Sequence, residues 1–237
     1  MIFTSNVGFR IFTKVVRPDS SLIEDFRGLP VANIADEMNR FGCMDARIKP
    51  INDASLLGTA ITVKARVGDN LMFHKALDIA MPGDVIIVDV QGDMTNSVTG
   101  EIMMRQAVKK GLAGVVVDGA VRDIDALSKM KMAIYAVGAT PKGPYKDGPG
   151  EINIPVSCGG VVVIPGDIII GDKDGIVVIS PKDAPELLVK AKAKLQEEQA
   201  KFSAIEAGTI NRSWVDKTLI SKGCEIIETT WCGTDKD

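Results

Sequence analysis

Arg122 and Asp123 are adjacent, and they follow the apolar run Val115–Asp118 and a Gly-Ala-Val step. A guanidinium beside a carboxylate at the exit of a buried strand can hold an anion and a cation at one point in space. Glu101 lies twenty-one residues earlier, at the start of an expected helix that follows a second apolar run, Val85–Val90. Strand, helix, strand is a βαβ unit, so the two strands are expected to be parallel neighbours whose exits open on one sheet edge, where α/β proteins bind ligands. On that reading Asp123 offers Mg²⁺ or Mn²⁺ a hard oxygen ligand and Glu101 holds a bound water. Arg122 presents a planar fork to a carboxylate or a developing enolate oxygen. A purely local Arg–Asp pair closing a helix end is the bland alternative, and spacing alone leaves it open.

The rest of the composition narrows the chemistry. The chain has one histidine, His74, so no His-rich zinc site can form within it, and no GxSxG elbow stands near it to build a Ser-His-Asp triad. A satisfied, partly buried histidine is the favoured reading of His74. Any bound metal should be oxygen-liganded. Cys43, Cys158, Cys224 and Cys232 form no CxxC pair, which argues against a zinc knuckle or redox dithiol. A net charge of −3 gives no general attraction to nucleic acid or anionic lipid, and neither GxGxxG after a strand nor a Walker lysine loop is present. No apolar run reaches the ~18 residues of a membrane span, and no secretory signal opens the sequence. A cytoplasmic protein with a small-molecule or protein partner, and no membrane or nucleic-acid partner, is expected.

The elements that must position these groups can be read in order. Ser20–Arg27, with Ser20 or Ser21 as cap, and Val31–Arg40 look helical; Asp36 there reads as solvated. Leu57–Val67 is a strand, and a helix behind a capping Asp69 puts Asn70 and His74 on one face. Val85–Val90 leads through a polar loop at Gly92-Asp93 to a helix from about Ser97 to Lys110, stopped by Gly111. Arg122 is expected to start a helix to about Met130, before a strand at Ala133–Val137. Gly138–Gly150 has three prolines and four glycines and reads as a lid-like loop. Short antiparallel strands follow at Ile152–Ser157, Gly160–Ile164, Asp167–Gly171 and Ile176–Ser180. A Lys/Glu-rich helix from Asp183 to about Ala207 has an apolar stripe thin enough to suit packing on another subunit. The fold class is therefore mixed α/β: one domain over residues 1–208 and an extension of unassigned role over 209–237.

Six runs, Val67–Leu77, Pro82–Asp89, Gly100–Ile102, Val115–Asp123, Gly148–Asn153 and Cys158–Val163, occur in the order found in the RraA-like family, and the chain resembles that family from about Ala54 to Gly208. The family includes divalent-metal-dependent 4-hydroxy-4-methyl-2-oxoglutarate aldolases and the regulator of ribonuclease activity A. The resemblance implies a swivelling β/β/α-type fold and trimers or paired trimers with active sites at subunit interfaces. It also implies roles. Asp123 would ligate the metal, largely through waters; Arg122 would bind the pyruvyl moiety; Asn70 and the backbone amides of Ile102 and Met103 would help hold the carboxylate. Glu101 stands where the aldolases carry an acidic residue, and Glu198 or Glu197 of a neighbouring copy's helix would support the metal site. The implied reaction is cleavage of a 4-hydroxy-2-oxo acid to pyruvate, with accompanying oxaloacetate decarboxylation. The alternatives are a lyase for another sugar-acid-derived 2-oxo acid, or a non-catalytic regulator that binds a ribonuclease.

Overall fold

A computed structural model describes residues 6–231; Cys232 and the end of the 209–237 extension lie outside them. Among these residues a mixed sheet runs in the order β1 (Phe9–Ile11), β7 (Gly150–Ile152), β3 (Leu56–Ala65), β4 (Asp84–Ser97), β5 (Gly114–Val121), β6 (Ala133–Ala139), β2 (Lys49–Pro50). β3, β4, β5 and β6 are parallel, as their connections by α3 (Leu71–Ile79), α4 (Glu101–Lys110) and α5 (Ile124–Leu127) require. β10 (Ile168–Gly171) and β11 (Ile176–Ile179) add an antiparallel arm to the early part of β3.

The central strands are nearly all apolar because both of their faces are covered. On one face Ile86, Val88, Val115 and Val117 pack with Phe73 and Ala76 of α3 and Met104 and Ala107 of α4. On the other, Val85, Ile87 and Val116 meet Val156, Cys158 and Val163 of the hairpin β8 (Val156–Cys158) and β9 (Val161–Val163). A third cluster joins α1 (Ser20–Glu24) and α2 (Val31–Glu37) with β10, β11 and the start of α6 (Ala184–Glu206). The chain divides into a compact unit up to Leu195 and a second from Gln196, the latter containing α7 (Trp214–Ser221) with exposed Trp214 and Ile220. No helix among the described residues is long and apolar enough to cross a membrane.

Several element boundaries differ from the sequence reading. β4 does not stop at Val90: Gln91 and Gly92 take left-handed conformations, and the bulge lets the strand continue to Ser97, so α4 begins at Glu101 rather than Ser97. β5 does not stop at Asp118 but runs on through Gly119, where a Cβ would stand 2.5 Å from Val90 Cγ2, to Val121. The expected strand Ile152–Ser157 is two strands in different sheets, broken at left-handed Asn153. Asp19, not Ser20 or Ser21, caps α1 through the Ser21 amide. α5 starts after Asp123 and ends at Leu127.

One row of charges crosses the sheet in register. Arg10 pairs with Glu151, Glu151 stands opposite Lys64, Lys64 opposite Asp89, and Asp89 opposite Asp118. Arg10 bonds Glu151, Lys64 Nζ donates to Asp89 at 2.6 Å, and Arg47 Nη2 donates to Asp118 at 2.9 Å. The carboxylates are buried and the cations reach outward, which lets each anion be compensated while the positive heads keep water.

Candidate active site

The expected convergence of the two strand exits is built by backbone hydrogen bonds. Val98 N donates to Ala120 O at 3.0 Å and Arg122 N to Thr99 O at 3.0 Å, so the segment after β4 is tied to the end of β5. Gly100 then opens α4 with no side-chain cap, leaving the first-turn amides, including those of Ile102 and Met103, without intrahelical acceptors. One of them is taken: Glu101 N donates to Asp123 Oδ2 at 2.9 Å. The same oxygen is 3.8 Å from Arg122 Nε.

Asp123 holds this position in a left-handed conformation, φ 61 and ψ 39. Such backbone costs a non-glycine residue roughly 1 kcal/mol or more, least for Asp and Asn, and persists only where the surroundings enforce it. Gly100 is part of that enforcement: a Cβ there would lie 2.3 Å from Asp123 Oδ2 and 2.8 Å from Arg122 Cγ.

The far wall comes from the loop after β6. Its path is set by Asp69, whose Oδ2 accepts from Asp147 N at 2.6 Å and Gly148 N at 2.9 Å while Oδ1 accepts from Leu71 N. Ser97 Oγ and Asn96 Nδ2 bond the loop carbonyls of Lys142 and Gly143. The lid-like segment is thus a fastened wall that delivers Pro144 and Lys146. The result is a pocket of about 110 Å³ lined by Asn70, His74, Thr99, Ile102, Met103, Arg122, Asp123 and Lys146, among others. Burial, and next to it the Lys146 charge, push the His74 pKa below its ordinary value of 6.5, so the ring is neutral at pH 7.

Of the residues singled out from sequence, Arg122, Asp123, Asn70, Ile102 and Met103 meet at this pocket. Glu101 does not contribute its carboxylate within one copy: Oε1 accepts from Arg105 Nε at 2.7 Å, and only the Glu101 backbone touches Asp123. Asn70 Nδ2 donates to Val98 O at 2.9 Å and stands 3.3 Å from Met103 Sδ, a weak acceptor. Glu197 and Glu198 belong to the second unit, in the C-terminal half of α6. Thr99 and Lys146 were not anticipated. The only signal for Thr99 was its place immediately before Gly100, and for Lys146 its place in the Gly/Pro loop.

Among the described residues no three His, Cys, Asp or Glu side chains gather to form a metal cage. The single carboxylate of Asp123, 42% exposed in its side chain, instead fits a hard cation such as Mg²⁺ that keeps most of its waters. The glycine cradle at Gly100 leaves Asp123 Oδ2 uncrowded on that side. An anion fits beside it, against Arg122 and the open N-terminus of α4.

The chain also has recognisable relatives. The RraA-like (Aldolase/RraA) family pattern matches residues 31–178. A Halalkalibacterium halodurans protein provisionally named 4-hydroxy-4-methyl-2-oxoglutarate aldolase is 39% identical over 199 residues, covering 83% of this chain and 95% of its own. A Thermus thermophilus 4-hydroxy-4-methyl-2-oxoglutarate aldolase is 39% identical over 111 residues, 47% of this chain and 68% of its own. The solved structure of the RNA-processing inhibitor RraA from Thermus superposes with a TM-score of 0.59 at 32% identity, covering 63% of this chain and 92% of that one. With its fold, its ordered motifs and nearly the full length of its relative matched, this chain belongs to the RraA-like family.

Proposed function

We propose that the protein is a divalent-metal-dependent lyase, using Mg²⁺ or Mn²⁺, that cleaves a 4-hydroxy-2-oxo acid such as 4-hydroxy-4-methyl-2-oxoglutarate to pyruvate, and that decarboxylates oxaloacetate through the same pyruvate enolate. The observation that carries this reading is the Arg122–Asp123 pair at the exit of β5, held beside the uncapped N-terminus of α4. The names of the relatives point the same way.

Both reactions break a C–C bond and leave a pair of electrons on C3 of the pyruvyl fragment, delocalised onto the C2 oxygen. A divalent ion on Asp123 supplies Lewis acidity at that oxygen when bound. Arg122 adds a fixed positive fork to the carboxylate and the growing oxygen charge, and the first-turn amides of α4 add oriented dipoles. Asp123 is kept in place by the Glu101 amide and its enforced backbone, so little reorganisation accompanies charge development. Neutral His74 and the Lys146 ammonium make the opposite wall polar, suited to a substrate with a second anionic or hydroxylated end. The working form is a homo-oligomer in which Glu198 or Glu197 of a neighbouring copy completes the metal surroundings, in the cytoplasm.

Pyruvate release from a panel of 2-oxo acids, with Mg²⁺ and with EDTA, tests the reading. The expected outcome is turnover with Mg²⁺, none with EDTA, and a loss of about 10²-fold or more in kcat/KM for Arg122→Ala. Undiminished turnover by Arg122→Ala would sink the assignment. The inhibitor named in the Thermus structure suggests ribonuclease binding as the second reading. The strained carboxylate in a formed pocket favours catalysis over it, because such strain clusters at working sites.

A further inference from the structure

We propose that the segment Glu225 to Trp231 docks on the outer face of α4 and the segment after α5 in a second copy of this chain. The inference goes beyond the lyase reading and stands without it. Its starting point is what the second unit lacks. No described residue from Gln196 onward is buried, although the unit carries Phe202, Trp214, Ile220, Ile226 and Ile227, and Trp231 is fully exposed. Ordering a chain costs conformational entropy that apolar burial normally offsets, and here α7 is ordered with no side chain buried. Apolar side chains exposed in such number mark a surface that meets another molecule.

A matching surface lies in the first unit. A cavity of about 630 Å³ is lined by Arg105, Val108 and Lys109 of α4 and by Lys129, Met130 and Lys131 after α5. Val108 is an exposed apolar residue in the middle of it. Arg105 has Glu101 as its partner, whereas Lys109, Lys129 and Lys131 have none among the described residues. An apolar patch ringed by four cations and no carboxylate favours an occupant that is itself apolar and acidic.

Charge decides which part of the second unit fits. α7 holds Asp216 and Lys217 between Arg212 and Lys222, and so brings more positive than negative charge to a positive rim. The outer half of α6 places Lys201 directly beside Phe202. Glu225-Ile226-Ile227-Glu228 has two carboxylates and no cation, and Trp231 follows three residues later. In the docked pair Trp231 fills the apolar part against Val108 and Met130, as large aromatic anchors do at interface centres, while Glu225 and Glu228 lie among the lysines. A donated segment and a receiving groove on one and the same chain are what assembly from identical copies requires.

The test uses the full chain with Trp214→Phe, which leaves Trp231 as its only tryptophan. Fluorescence emission and sedimentation velocity are read over one range of protein concentrations. The expected outcome is an assembled species in which Trp231 emits at shorter wavelength than in the urea-unfolded chain, moving to longer wavelength as dilution yields monomer. Glu225→Lys with Glu228→Lys is expected to raise the midpoint of that transition at least about tenfold, because like charges facing each other across an interface are costly. Where other contacts hold the copies together, it returns Trp231 to long-wavelength emission instead. Adding Lys129→Glu and Lys131→Glu to the same chain is expected to restore the original behaviour. Unfolded-like emission in the assembled species, or a chain that stays monomeric throughout, overturns the inference. Short-wavelength emission that persists in the monomer puts the segment on its own chain and overturns it too, and charge reversals without effect overturn the choice of groove. None of these readings uses activity, so failure here is distinct from failure of the lyase reading.

Discussion

Asp123 combines two demands that few residue types meet, an oxygen acceptor for the Glu101 amide and a left-handed backbone. Asparagine meets both, so Asp123→Asn removes the charge while keeping the structure. The expected result is a change in unfolding free energy within about 1 kcal/mol, by thermal or urea melts, with Mg²⁺-dependent pyruvate release lowered about 10²-fold. Wild-type activity in that variant would mean that the carboxylate charge is not used. At this scale the sequence was informative about Arg122 and Asp123, because adjacent opposite charges after an apolar run are local facts. The directions of the Asn70 and Glu101 side chains were not legible, because they are aimed by partners elsewhere: Val98 O depends on where β4 ends, and Arg105 sits a turn further along α4.

Among the elements, the contact between α4 and the exit of β5 matters most. Gly100 has φ −159, which any residue can adopt, so its smallness serves space and not conformation. Gly100→Ala puts a methyl group where Asp123 Oδ2 and Arg122 Cγ now stand. It is expected to move both side chains and reduce kcat at least tenfold, with far-UV circular dichroism unchanged; displacements of about 1 Å have effects of that order. A fully active Gly100→Ala enzyme would show that the pair can shift without loss. Elements with a strong period were legible: α3, α4 up to Gly111, β10, β11 and the long α6 all fall close to their expected places. The continuation of β4 past Val90 was not, because a bulge lets a polar stretch pair and no local pattern announces it. The break at Asn153 was hidden for a similar reason: one left-handed residue sends the chain from one sheet to another.

For the assembled molecule, the proposed interface site makes activity a property shared between copies. Arg122→Ala and Glu198→Gln each disable a different contributor to that site. Mixing the two inactive proteins under subunit exchange should restore a fraction of wild-type turnover, because some mixed sites regain both residues. A mixture as inactive as its components would show that Glu198 does not act across copies, and Glu197→Gln would be the next partner. The row of charges from Arg10 to Asp118 has a consequence in time. β7 is synthesised about 140 residues after β1, yet it lies between β1 and β3 and supplies Glu151, the residue facing both Arg10 and Lys64. A growing chain that has only β1 and β3 holds two cation-bearing strands with no carboxylate between them, and like charges discourage their direct pairing. The carboxylate that compensates Arg10 thus becomes available only once β7 has been made.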